Sequence, residues 1–265
     1  PSQPGPSPRA AKVDSPVASP RLALPHVPGR DALAAIGLTA MVALAWCSYA
    51  GTWSRASWSL PIAYPTVERD GDKADVIGTY AYMKASGDGH ILPLAWKNVP
   101  ELGAPYDGNW NDYPTLDEVP YFLQSMLGLR FGLFAGLNLS LLLGNAAAAL
   151  ALYCVARWSD CDRVWSFVAA LAFGLAPFIF AQEPHHIQDA YAWPVPFFLV
   201  IWRWVSTDPG IAPGSPRFWF AVSIGFVSGL HHIYYANILC QLTLIGAVIQ
   251  SVRSGSRAPL QTALA

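Results

Sequence analysis

Charge is scarce in this sequence. Of 265 residues only 12% are Asp, Glu, Lys or Arg, while 53% are apolar. Soluble domains carry about 25% charged residues, so the shortage excludes an ordinary soluble domain. The net charge of −1 leaves no basic surplus for nucleic-acid binding. Cysteine is also rare. Cys47, Cys154, Cys161 and Cys240 are the full set, and no C-x-x-C spacing occurs. Three of the four fall in apolar runs and none in the long polar segment, which argues against a disulfide framework and a zinc-type metal motif. Aromatics, by contrast, are plentiful: 11 Trp, 11 Tyr and 12 Phe suit a protein with rings at membrane interfaces.

The apolar residues are gathered into long runs. Residues 1–30 are rich in Pro, Ser and Ala and read as a disordered cytoplasmic tail, since they offer too little apolar surface to offset ordering. Ala32–Ala50 is long enough to cross a bilayer at about 1.5 Å per residue. Residues 51–118 form a long polar loop. Phe131–Ala156, Val164–Ala181 and Ile187–Val205 read as further spans, the last two containing Pro177, Pro194 and Pro196. Phe218–Val252 is too long for one crossing and is broken by His231-His232, so it reads as two short or tilted helices, or as one kinked helix. The expected fold is therefore an all-α polytopic membrane protein, with about six transmembrane helices across residues 31–265. The start at Pro1 and the apolar stretch that opens at Ala258 lead to the expectation that the chain is a fragment lacking C-terminal spans.

Basic residues orient these spans. With the N-terminus inside, the inner segments hold Arg9, Lys12, Arg21, Arg30, Arg157, Arg163, Arg203, Arg217, Arg253 and Arg257. The outer turns at 182–189 and 231–237 hold no Lys or Arg. Long loops translocate whatever their charge, so loop 51–118 is expected outside the cytoplasm. This orientation puts twelve of the 17 carboxylates and five of the 6 histidines on the outer side.

Three groups of reactive side chains result. Glu68-Arg69-Asp70-Gly71-Asp72 places two carboxylates where they can converge on a divalent cation or on an acceptor hydroxyl; a plain solvated acidic loop has the same pattern. Glu183, His185, His186 and Asp189 lie between two apolar runs, where they could hold a metal or a phosphate, or move a proton. They also fit a polar turn without chemistry. His231-His232, with Tyr234 and Tyr235, reads most simply as a turn between helices. The adjacent histidines lack the spacing of a helical zinc-hydrolase motif. Trp96, Tyr106, Trp110 and Tyr113 stand among amides and carboxylates, a mixture suited to sugar rings or to packing on a membrane surface. Spans one to three carry no charge at mid-depth, which disfavours ion-coupled transport.

The order of small motifs resembles the GT-C glycosyltransferase superfamily of bacterial polytopic membrane proteins, and within it the YfhO-like group. Gly71-Asp72 follows the first span, with Asp70 alongside. Gly103-Ala104-Pro105 and Tyr113-Pro114 follow, then Asn138-Leu139, Ala176-Pro177, the turn with His185 and His186, and Pro194 or Pro196. The similarity runs from about residue 32 to about residue 250. The Arg often found before the turn histidine is absent, Gln182-Glu183-Pro184 standing there, and Gly87-Asp88 offers a second Gly-Asp. The resemblance implies a multi-pass enzyme of the bacterial inner (cytoplasmic) membrane, taking sugar from a polyprenyl-phosphate carrier. The acceptor outside the cytoplasm would be a glycan, lipid or protein. Asp72, then Asp70, would be the base or would contact a divalent cation (Mg or Mn). Glu183, His185, His186, Arg69, Trp110 and Tyr113 would bind substrate. A lipid-linked saccharide transporter or flippase without transferase activity is the alternative, and an outer-face metalloenzyme built on Glu183, His185, His186 and the 231–232 pair is a third possibility.

Overall fold

A computed structural model describes residues 29–61, 73–100, 105, 108–109, 117–183, 186–207 and 211–264. Of the expected tail at 1–30, residues 1–28 lie outside the described residues, as do Arg69, Asp70, Asp72, Trp110, Tyr113 and His185, while Gly29 and Arg30 already belong to the first helix.

Helix α1 (Gly29–Ala50) matches the first expected span. Leu38, Val42 and Trp46 recur every fourth position and form its buried stripe. Leu33, Ile36 and Leu44 face outward, as lipid-facing positions of a span do. Helix α5 (Leu133–Trp158) is the central element, about 39 Å long. Its Gly136, Gly144, Ala146, Ala148 and Ala149 are buried, and such small residues let neighbouring backbones approach closely. A side chain at Gly136 would lie 2.4 Å from the Gly128 nitrogen, and one at Gly144 would lie 2.7 Å from the Tyr191 ring.

The described parts of the polar stretch 51–118 include regular structure. They hold α2 (Arg55–Trp58), α3 (Lys73–Gly87) and two short antiparallel strands, β1 (Asn98–Val99) and β2 (Gly108–Asn109). The stretch leads into α4 (Glu118–Phe131), which folds back on α5 through the single residue Gly132 at φ 93°. Ser125 Oγ bonds Ser86 Oγ at 3.3 Å and so ties α4 to α3. Asn138, inside α5, donates to the carbonyls of Trp58 and Leu60 at 3.0 Å each.

The third expected span is one apolar segment, Arg163–Gln182, divided into α6 (Arg163–Gly174) and α7 (Pro177–Gln182). Asp162 caps α6 by accepting from Val164 N–H, and Pro177 opens α7. The fourth expected span, Ile187–Val205, is corrected by the structure. It is a 3-10 turn (Ile187–Ala190), an irregular stretch, and then α8 (Val195–Thr207), about 20 Å long. Pro194 and Pro196 explain the gap, because each removes an amide donor and restrains the residue before it. The last long stretch divides at His232 into α9 (Pro216–His231) and α10 (Ile233–Ser254), and α11 (Ala258–Leu264) follows. Among the described residues four segments are thus long and apolar enough to cross a membrane: 29–50, 133–158, 163–182 and 233–254. The described residues are mostly helical apart from the small strand pair, and several of the helices suit a membrane by length and composition.

Charge closes one end of the bundle. Asp31 accepts from Tyr153 Oη at 2.8 Å and from Arg163 Nε at 2.9 Å, and it pairs with Arg157 Nε at 3.3 Å. This fastens the start of α1 to the α5–α6 junction.

Candidate functional site

The candidate site lies halfway along α5. Its floor is a short chain of polar atoms. Gln124 Nε2 of α4 donates to Tyr191 Oη at 2.8 Å, and Tyr191 Oη bonds Ser140 Oγ of α5 at 2.7 Å. The Tyr191 ring lies against Gly144, where any Cβ would collide with it. Tyr191 is followed by non-helical backbone, and its carbonyl meets His231 Nε2, at the end of α9, at 3.0 Å. A carbonyl oxygen only accepts, so Nε2 carries the hydrogen. Tyr191, Trp193 and Tyr235 all contact the His231 ring.

Beside this floor three titratable groups meet from distant parts of the chain. His232 Nε2 lies 3.0 Å from Asp189 Oδ1 and 4.0 Å from Asp117 Oδ1. His232 Nδ1 accepts from the Tyr234 amide at 3.2 Å and caps α10, so Nε2 carries the hydrogen that Asp189 accepts. The His232 amide in turn closes α9 on the Ser228 carbonyl at 2.9 Å. Tyr235 Oη donates to the Asp189 carbonyl and holds the 3-10 turn in place. Burial pushes the Asp117 carboxyl up to about 6; Asp189 adds to the rise and His232 opposes it. For His232, burial disfavours the charged ring. Its bond to Asp189 and the attraction of both carboxylates outweigh that, and its pKa is raised. A carboxylate titrating near neutrality can take a proton from a hydroxyl.

An apolar groove adjoins the cluster. Its volume is about 350 Å³, within the usual range for small-molecule sites. Leu123, Met126 and Leu127 of α4 form one wall, and Leu143 and Ala147 of α5 form the other. Tyr191, Trp193 and His231 form its far side. Pro120, one turn after Asp117, also lines it, so the groove and the cluster share the start of α4 and the end of α9.

The residues singled out from the sequence are distributed differently. Glu183 is buried at the end of α7, where it accepts from Trp46 Nε1 at 3.2 Å and from Asn145 Nδ2 at 2.8 Å. Gly174 already approaches the Asn145 carbonyl, and Glu183, further along the chain, bonds the same residue. The break at Leu175–Ala176 therefore turns α7 across the bundle instead of letting it rise, and a carboxylate sits beside the middle of a long apolar helix. Spans one to three themselves carry no charge at mid-length; the carboxylate comes from Glu183, just beyond the third. Glu183 is buried whereas His186 is exposed. His231 and His232 have separate partners, Tyr191 and Asp189. Among the described residues no group of three or more His, Cys, Asp or Glu could hold a metal ion. Asp117 was not singled out from the sequence. Its partners lie far along the chain at 189 and 232, and no local spacing announces them. No family model, curated protein or solved structure matches the chain.

Proposed function

We propose that this chain is a membrane glycosyltransferase that moves a sugar from a polyprenyl-phosphate carrier to an acceptor outside the cytoplasm, in a bacterial inner (cytoplasmic) membrane with the N-terminus inside. The observation that carries the proposal is the adjacency of Asp117, His232 and Asp189 to an apolar groove halfway along α5. Glycosyl transfer from a lipid carrier needs both a proton acceptor and a place for a hydrocarbon chain. In the reaction the acceptor oxygen bonds to the anomeric carbon. The bond from that carbon to the phosphate oxygen breaks, its electron pair leaves with the phosphate, and the hydroxyl proton passes to a carboxylate.

The motif resemblance assigns the base to Asp72, with Asp70 beside it, and a divalent cation would be held there. Asp117, tuned by burial and steadied through His232, is the candidate that the geometry adds. Arg69, His185 and His186 are the candidates for the departing phosphate, and Trp110 and Tyr113 for the sugar. Buried Glu183 keeps a second reading in view, because a carboxylate at mid-helix is also a feature of transporters. Movement of a lipid-linked saccharide across the bilayer without transfer would then be the activity.

The test uses the full chain in nanodiscs, supplied in turn with polyprenyl phosphates carrying radiolabelled hexoses or pentoses, and a membrane lipid and glycan extract as acceptor. Release of polyprenyl phosphate and labelling of the extract are expected. Asp72→Asn and Asp117→Asn should each slow transfer about 100-fold or more while the elution profile stays normal and neither variant melts below wild type. No transfer from any donor would refute the transferase, and full transfer by both variants would remove these carboxylates from the chemistry.

A further inference from the structure

We infer that His232 is a protonation switch: a second proton on its ring exchanges the cap of α10 for a bridge between Asp189 and Asp117. The inference does not depend on the transferase proposal. His232 is the single residue between α9 and α10, with extended backbone at φ −163° and ψ 132°. Its amide closes α9 on the Ser228 carbonyl, and its carbonyl opens α10 by accepting from the Tyr235 amide at 3.1 Å. The side chain has two tasks at once. Nδ1 accepts from the Tyr234 amide at 3.2 Å and caps α10, while Nε2 donates to Asp189 Oδ1 at 3.0 Å. Only a neutral ring can do both. A charged imidazole donates at both nitrogens and keeps no lone pair. Its Nδ1–H would point at the Tyr234 N–H, and its charge would stand at a helix N-terminus, where cations are disfavoured. The carboxylates favour the opposite state. Asp117 Oδ1 lies 4.0 Å from Nε2 and has no hydrogen-bond partner among the described residues. Buried polar atoms are nearly always paired. A charged ring that turns from α10 has an acceptor for each N–H, Asp189 for one and Asp117 for the other.

The remaining titratable neighbours are engaged elsewhere. His231 is held at Nε2 by the Tyr191 carbonyl, and Tyr235 Oη donates to the Asp189 carbonyl. Tyr234 and Tyr235 set their rings 4.8 and 5.9 Å from that of His232. Glu118, beside Asp117, is taken up by Lys97 and by the Leu94 amide. Burial opposes a charge on His232, but the two carboxylates outweigh it and raise its pKa above the ordinary 6.5. The ring therefore caps α10 above the raised value and bridges the carboxylates below it, until Asp117 takes a proton at about 6. The switch ties the protonation of the cluster to the first turn of α10, a helix long and apolar enough to cross a membrane.

The experiment is nitrogen NMR of the full chain in phosphatidylcholine nanodiscs, with labelled histidine rings and tyrosine amides, from pH about 8.5 to about 5.5. The Tyr234 signal is assigned by its loss in Tyr234→Phe. As pH falls, His232 Nδ1 should gain a proton. With the same midpoint the Tyr234 amide should exchange about five-fold faster relative to an unstructured peptide at that pH, the loss expected for one helix cap. His232→Asn keeps a side-chain oxygen for the cap and cannot be charged, so its Tyr234 amide should stay protected at every pH. Asp189→Asn removes one carboxylate and should move both transitions to lower pH together. A Tyr234 amide that keeps its protection while His232 becomes charged would overturn the inference, as would the same loss of protection in His232→Asn. Transitions unmoved in Asp189→Asn would remove the bridge. None of these readouts needs a sugar, so a chain that transfers nothing can still show the switch.

Discussion

Replacing Gly136 by alanine should pry α4 away from α5. The added Cβ would stand 2.4 Å from the Gly128 nitrogen, 2.5 Å from its Cα and 2.8 Å from the Leu127 carbonyl carbon. All three are backbone atoms, so no side-chain rotation relieves the contact. The hairpin is joined by Gly132 alone, which leaves no slack, and the helices must part by about 1 Å or one of them must unwind near the turn. Overpacking of this kind costs about 1–3 kcal/mol where side chains can yield, and a rigid backbone neighbour places this case at the upper end. For a chain of this size each kcal/mol shifts Tm by about 2–4 °C, giving a loss near 6–12 °C in a thermal melt of the detergent-solubilised protein. Gly225→Ala is the control. Its Cβ would meet only Leu239 Cδ2 at 3.7 Å, and alanine within a helix is favoured over glycine by about 1 kcal/mol. That variant should melt at or above the parent. Equal melting of the two variants would refute the close α4–α5 approach, and with it the groove that this approach shapes.

Other expectations follow from the polar contacts. The Asp117 carboxyl titrates near 6 in the fold against 3.8 normally, so the folded state holds the proton more tightly than the unfolded chain. Its contribution is full at low pH and is lost as pH rises through about 6. Asp117→Asn should therefore gain stability on wild type between pH 4 and pH 7.5, by up to about 3 kcal/mol; an unchanged difference would contradict the burial beside Asp189 and His232. Trp46→Phe removes an indole donor from Glu183 and should cost about 2–3 kcal/mol in denaturant melts. The same substitution in a Glu183→Met background should cost at least about 1 kcal/mol less, and a cost undiminished there would show that the tie carries nothing. Single cysteines at exposed Ala95 and exposed Ser256, in a chain cleared of its native cysteines, test sidedness. An impermeant thiol reagent should label only position 95 in intact cells, and the reverse pattern would end the transferase proposal.

Much of the helical frame is legible in the sequence, because it rests on composition. The first and second spans were expected at 32–50 and 131–156 and form at 29–50 and 133–158; an uncharged run of that length has few alternatives. The polar break at His231-His232 likewise marks where α9 ends and α10 begins. Helices α3 and α4 escape a pattern search. Neither carries a strong apolar stripe; α3 mixes Lys, Asp and Gly with its apolar residues, and α4 includes Pro120 and Gly128. Both are held by neighbours, as Ser125 on Ser86 and Gly128 against Gly136 illustrate. Of the site, Asp189 and His232 drew notice one by one, but their meeting with Asp117 depends on three chain reversals that no local spacing encodes. A straight helix from Arg163 would carry Glu183 to an outer turn. The break before Pro177 sends it to Asn145 instead.

Two interruptions of the chain, at Leu175–Ala176 and at Tyr191–Pro194, fall against the same short stretch of α5, from Ser140 to Ala149, and the third, at His232, follows a residue that bonds the second. Each releases amide and carbonyl groups from helical pairing, and hydrocarbon tolerates such groups only where protein or a wetted cavity covers them. The uninterrupted α5 thus acts as a mast beside helices whose broken ends are closed by local turns, such as Ala176 N–H on the Phe173 carbonyl and His232 N–H on the Ser228 carbonyl. A bundle of this design keeps one continuous post, and Asp117, Asp189 and His232 meet where the chain stands outside regular α-helix.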